Sequence, residues 1–285
     1  MAGPGALVCD GPHHGPADAQ GQPAADVAAY QRDGVVCLRG MIDPAWIERL
    51  RAATERVMAK PGPMGMPYGA RGAEGTFFGD MYVWTFDPDI RDFALDGPGA
   101  ALAGAVMGAA KINLFYDHLL IKEPGSAAPT PWHHDLPYWC VDGDQVCSVW
   151  VPMDPVDRAS GAVEFIAGSH RSGTLYRAQD FRGSTLFADQ ALTPIPDIEA
   201  DRSGHDIRRF DVAPGDCLVL HARTVHGAPG NASSDRRRRA VSLRFAGDDA
   251  VFIRRPAMSE PIRDPGLEPG QALDSDLFPV VWRAP

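Results

Sequence analysis

The chain has 285 residues, 37 acidic against 27 basic, and its formal net charge of −10 argues against nucleic acid or an anionic membrane surface as a partner. At 45% hydrophobic and 22% charged it has the composition of a globular protein with material for a substantial core, which excludes wholesale disorder. Five cysteines without CxxC spacing (Cys9, Cys37, Cys140, Cys147, Cys217) describe no disulfide framework, and neither a membrane-spanning apolar run nor a signal-peptide pattern occurs; a cytoplasmic protein with reduced thiols is expected.

Residues 1–22, rich in Gly, Pro, Ala and His, are expected to form a flexible leader in which His13 and His14 are solvated. Residues 23–285 contain no linker and no internal repeat and read as a single domain. Pro23 to Arg32 has the pattern of a short helix ended at Gly34 and followed by a strand at Val35. Asp43 is placed to cap a second helix whose Trp46, Ile47, Leu50, Ala53 and Val57 form one apolar face. Pro61 to Gly79 has no period and reads as a loop, and Asp87 to Met107 reads as two helices broken at Gly97-Pro98-Gly99. Ile112 to Lys122 alternates as a strand, with Leu114, Tyr116, His118, Leu120 and Lys122 on one face. Further strands are expected at Val146–Val151, Ala162–Ile166, Phe210–Val212 and Cys217–His221, with a turn at Gly168-Ser169-His170 and no pattern from Arg171 to His205. In Ala240 to Phe245, Val241, Leu243 and Phe245 share one face, while Arg238, Ala240, Ser242 and Arg244 share the other.

Chemistry concentrates in PWHHDLPYW (131–139). On an extended strand His133 and Asp135 project to the same side while His134 points away. The pair needs a third ligand, and HARTVHGAPGN (221–231) offers His221 and His226. Two neutral imidazoles and one carboxylate form the facial triad of a non-haem Fe(II) oxygenase, which leaves positions for a 2-oxoacid and O2. Spacing alone does not choose between His221 and His226.

PWHHDLPYW, GAVEFIAGSHR (161–171), HGAPGN (226–231) and RRAVSLRF (238–245) follow one another in an order seen in a known family. From about residue 30 to about residue 250 the chain resembles the phytanoyl-CoA dioxygenase family of Fe(II)/2-oxoglutarate oxygenases. The resemblance implies a mainly β fold, a double-stranded β-helix (jelly roll, cupin-like) with flanking N-terminal helices and a C-terminal tail over the barrel. It implies His226, followed by Gly227, as distal ligand, with His221 and His170 structural. It aligns Arg238, in the pattern R-x-A-x-S, with the arginine that holds 2-oxoglutarate. Arg238 stands one residue later than the family's usual spacing from the distal histidine, which leaves Arg237 as the alternative. Ser242, Trp150 and His118 match positions lining the cosubstrate pocket, and Tyr138 and Trp139 stand where substrate contact is expected.

The activity so implied is hydroxylation of a small-molecule metabolite, using Fe(II), 2-oxoglutarate and O2 and releasing succinate and CO2. Desaturation, cyclisation and epimerisation use the same ligands, whereas halogenating relatives replace the carboxylate that Asp135 retains. A hydrolase or isomerase with another metal, or a non-catalytic cupin-like binding protein, would not require the cosubstrate arginine. Substrate choice is expected to reside in the unpatterned stretches 61–84 and 171–205. No feature of the sequence sets an oligomeric state.

Overall fold

The computed structural model describes residues 24–68, 76–178, 192–255 and 258–285. The expected leader, Cys9 and parts of both unpatterned stretches lie outside the described residues. Helix α1 (Ala24–Asp33) ends at Gly34, whose φ of +77° suits glycine and where a Cβ would collide with Thr224 and the His170 ring. Strand β1 (Val35–Leu38) follows, and then α2 (Pro44–Ala59). The Asp43 side chain accepts from Ala45 N at 2.7 Å and Pro44 opens the first turn, a cap that contributes about 1 kcal/mol. The predicted apolar face is buried through Ile47, Leu50, Ala53 and Val57, while Trp46 stays half-buried beneath Arg49.

The stretch expected to be a loop instead supplies two strands, β2 (Met66–Tyr68) and β3 (Phe77–Met81), paired antiparallel. Helices α3 (Pro88–Asp96) and α4 (Gly99–Met107) break at Gly97-Pro98 as the sequence predicts. The remaining strands are β4 (Lys111–Lys122), β5 (Thr130–His133), β6 (Val141–Asp142), β7 (Val146–Pro152), β8 (Glu164–Ile166), β9 (Ile207–Arg209), β10 (Cys217–His221), β11 (His226–Ala228), β12 (Arg238–Ala246), β13 (Val251–Phe252) and β14 (Val280–Arg283). The strand expected at Phe210–Val212 is displaced to β9, because Glu164 pairs with Arg209, and Val212 makes only a single bridge to Val156.

The large sheet runs β1-β10-β7-β12-β4-β3-β2, with β14 also on β4, and the small sheet runs β5-β11-β8-β9. One core lies between the sheets, where Trp150, Leu218, Leu220 and Ala240 meet Ala162 and Phe165. The larger core lies on the outer face of the large sheet, where Val241, Leu243 and Phe245 pack with the helices. This is the double-stranded β-helix, and the faces of β12 fall as its alternation predicts. In β4 the alternation fails once. A register shift puts Leu114 opposite Phe245, so Leu114 leaves the inward set and Phe115 is the extra residue of the bulge.

The tail from residue 250 adds β13 beside β6 and β14 beside the start of β4. Its Arg255 donates to the carbonyls of Trp139 and Val141, which ties the tail to the chain just after the His-x-Asp turn. Cys37 is buried, and Cys140, Cys147 and Cys217 are buried and free. Among the described residues no helix is long and apolar enough to cross a membrane.

Candidate active site

His133 closes β5, and Asp135 has already left the strand with φ −72° and ψ −38°, at the start of a 3-10 turn through Leu136–Tyr138. The pair therefore converges because the chain turns, and not by strand alternation. The result is still the one expected: His133 Nε2 lies 3.6 Å from Asp135 Oδ1 and His134 points elsewhere. Across the small sheet His226 is the register partner of His133, with ring centroids 4.3 Å apart. The ligand atoms of His133, Asp135 and His226 all lie within 4.8 Å of one another, and among the described residues they form the one such group.

Both imidazoles are oriented from behind. His133 Nδ1 lies 2.7 Å from the Pro131 carbonyl and His226 Nδ1 lies 2.9 Å from the Thr224 carbonyl. A carbonyl only accepts, so each Nδ1 carries the proton and each Nε2 lone pair faces the shared centre. Burial, with the neighbouring His133 imidazole second, pushes His226 down to about 4, which keeps it neutral at physiological pH. Burial works against ionisation of Asp135. The His133 and His226 imidazoles and the Arg244 guanidinium around it outweigh that cost and hold the carboxyl well below the usual range. Neutral imidazoles with an ionised carboxylate are the donor set that a divalent iron takes.

The cavity containing this group extends along β12 to Arg238. Arg238 is 2% exposed, its guanidinium lies 5.7 Å from the Trp150 ring, and its Nε is buried without a partner. The other arginines of the run are bound to acids: Arg236 to Asp157, Arg237 to Glu123 and Glu55, and Arg239 to Asp154 and Glu55. Burial lowers Arg238 to about 10, so it keeps its charge with no carboxylate in reach among the described residues. His118, Ser242 and Trp150 occupy one cross-strand row on β4, β12 and β7, and all three line the cavity.

A sequence profile described as Phytanoyl-CoA dioxygenase (PhyH) matches residues 30–240. The chain belongs to the phytanoyl-CoA dioxygenase family. A probable phytanoyl-CoA dioxygenase of Caenorhabditis elegans is 27% identical over 176 residues, 56% of this chain and 54% of that protein, so the chain spans about half the length of this curated relative. The crystal structure of the non-heme alpha ketoglutarate dependent carbocyclase SnoK from nogalamycin biosynthesis is similar with a TM-score of 0.72 at 26% identity, covering 94% of this chain and 100% of the other. The epimerase SnoN from nogalamycin biosynthesis gives a TM-score of 0.71 at 24% identity, covering 92% of this chain and 96% of the other, a likeness of fold.

In this family member the other histidines have local employment. His134 is buried, and its Nε2 accepts from Tyr176 N at 2.8 Å, which pins the start of the unpatterned 171–205 stretch to the turn. His221 ends β10 in the large sheet, and a turn separates it from β11 in the small one, so the two histidines stand on different sheets. His221 Nδ1 accepts from Arg223 N, and His170 Nε2 lies 3.2 Å from the Gln31 carbonyl. His226 opens β11.

Tyr138 is half-buried, edge-on to His133 with centroids 5.9 Å apart. Trp139 is not at the open face. It is 2% exposed, packed edge-on against Phe115 and Tyr116, with the Arg244 guanidinium 5.6 Å from its ring. Sequence reasoning passed over Ser148, Lys122 and Arg244. Ser148 Oγ donates to Asp135 Oδ2 at 3.2 Å, and Arg244 donates to Ser242 O and to His118 Nδ1. Lys122 is fully buried opposite Arg238. Arg244 and Lys122 belonged to the inward-facing sets of their strands, and a polar side chain in such a set is the signal that was available.

Proposed function

We propose that the protein is an Fe(II)- and 2-oxoglutarate-dependent dioxygenase acting on a small molecule, with hydroxylation as its reaction. The observation that carries this reading is the fully buried Arg238 guanidinium, unmatched by any carboxylate among the described residues, in the same cavity as the preoriented His133, Asp135 and His226. A mere metal-binding protein or a hydrolase needs the three ligands but not the buried cation. In this reading His133, Asp135 and His226 hold the metal, and Arg238 meets the distal carboxylate of 2-oxoglutarate bidentately. Ser242, His118 and Trp150 form the cavity wall between them, and Tyr138 lies beside His133 where substrate contact is available.

Fe(II) bound there with 2-oxoglutarate and O2 supplies the oxidising chemistry that turns a substrate C–H into C–OH while succinate and CO2 leave. The chain's part is positional and electrostatic. The Pro131 and Thr224 carbonyls fix the two imidazoles, Ser148 fixes Asp135, and the apolar wall of Leu120, Val163, Phe165 and Leu220 limits water around the cavity. A second outcome on the same ligands, epimerisation or ring closure, is supported by the likeness to the epimerase SnoN and the carbocyclase SnoK. The cytoplasm as compartment is supported by the buried, free thiols of Cys140, Cys147 and Cys217.

The test is anaerobic addition of 2-oxoglutarate to the Fe(II)-loaded protein. A visible charge-transfer band that requires both components, and is lost in Arg238→Met, is expected. Metal binding with no response to 2-oxoglutarate would exclude this function.

A further inference from the structure

Lys122 and Arg238 are direct partners across β4 and β12, so their side chains leave the sheet on the same face. Both are fully buried. Lys122 Nζ donates to the Pro229 carbonyl at 2.7 Å and lies 4.7 Å from the Phe77 ring. Among the described residues the side chain meets uncharged Phe77 on β3 and the Pro229 carbonyl on the loop before β12, and the charged group that acts on it is Arg238. Glu123, next along the strand, is bound to Arg237. Two basic groups thus stand side by side in a buried region without an anion among the described residues, an arrangement that opposes the second charge. The guanidinium is the more basic of the two, so the amine yields. Burial, then the Arg238 charge, lower Lys122 well below its ordinary value. One N–H of a neutral amine is enough for the bond to Pro229.

We propose that 2-oxoglutarate enters this pocket together with a proton, which Lys122 takes from solvent as the distal carboxylate settles against Arg238. The inference rests on the assignment of the cavity to 2-oxoglutarate. Once the carboxylate offsets the Arg238 charge, the repulsion that kept the amine neutral is gone and a nearby anion favours the ammonium. Lys122 then adds selectivity: a 2-oxoacid without a distal carboxylate brings no reason to protonate it. By linkage, the dissociation constant for 2-oxoglutarate rises as pH rises between the amine's pKa in the empty pocket and its pKa in the complex. The limiting slope is about tenfold per pH unit.

The experiment is calorimetric titration of the Mn(II)-loaded protein near neutral pH in two buffers of different ionisation heat, with 2-oxoglutarate and with 2-oxobutyrate. Proton uptake with the first acid, little with the second and none in Lys122→Met is expected. Waters displaced from the metal contribute equally for both acids and cancel. No uptake with 2-oxoglutarate, equal uptake with both acids, or uptake persisting in Lys122→Met overturns the proposal. Should Lys122→Met fail to fold, the comparison of the two acids on the unaltered protein decides. Absence of any 2-oxoglutarate binding would remove the cavity's assignment itself, whereas binding without proton uptake removes only the role of Lys122.

Discussion

Ser148 on β7 donates its hydroxyl to Asp135 Oδ2, while Asp135 Oδ1 faces His133. One carboxylate oxygen is thereby held and the other is presented to the metal centre. Removing a partner that orients a ligand typically weakens metal binding about 10–100-fold. Ser148→Ala is therefore expected to raise the Mn(II) dissociation constant by about that factor with little change in melting temperature, as competition with a chelator would show. An unchanged affinity would mean that the turn alone fixes Asp135.

The three ligands and the two bystander histidines separate cleanly. His133→Ala, Asp135→Ala and His226→Ala are each expected to abolish stoichiometric Mn(II) binding. His134→Ala and His221→Ala should retain it, because His134 Nε2 accepts from Tyr176 N and His221 Nδ1 from Arg223 N, away from the group of three. Equilibrium dialysis distinguishes the two groups.

Arg238→Met should weaken 2-oxoglutarate binding by about two to three orders of magnitude, the cost of truncating one partner of a buried charge pair, roughly 2–5 kcal/mol. Arg237→Ala should leave that affinity unchanged. Its bridges to Glu123 and Glu55 are partly exposed, so a stability loss under about 1 kcal/mol is expected from denaturant midpoints. A large loss of 2-oxoglutarate affinity in Arg237→Ala would reverse the assignment.

Burial pushes both His134 and His221 down to about 4 in the folded protein. Unfolded, each returns to about 6.5 and binds a proton more readily. The unfolded state thus holds more protons between those values, so the stability due to neutral burial is complete above about 6.5 and is lost as pH falls toward 4. Each residue contributes at most about 3 kcal/mol over that window. The urea midpoint of the metal-free protein should fall from pH 7 to pH 5, and less steeply in His134→Gln or His221→Gln.

What the sequence disclosed follows from where its periodicity is unbroken. β12 keeps strict alternation because one face packs on helices and the other lines a cavity, so Arg238, Ser242 and Arg244 were legible as inward residues. β2 and β3 were not, because short strands containing Pro67 and Gly79 derive their identity from pairing with each other and, through β3, with β4, a distant partner. His133 and Asp135 were found through an alternation that stops one residue too early, and a turn supplied the same outcome. The choice between Arg237 and Arg238 depends on acids from α2, the end of β4 and the β7 connection, whose approach no local pattern records.

Those flanking acids have an effect at a distance. Arg236, Arg237 and Arg239 are moored to Asp157, Glu123, Glu55 and Asp154, so the chain entering β12 is gripped from several directions while Arg238 alone of the run meets no acid among the described residues. In the proposed reading the guanidinium is immobilised when the protein folds, not when 2-oxoglutarate arrives, and the ordering entropy falls on folding. Affinity for the acid should then decline modestly when Asp154 or Glu123 is neutralised, through a slacker rim around an anchor whose own contacts are intact.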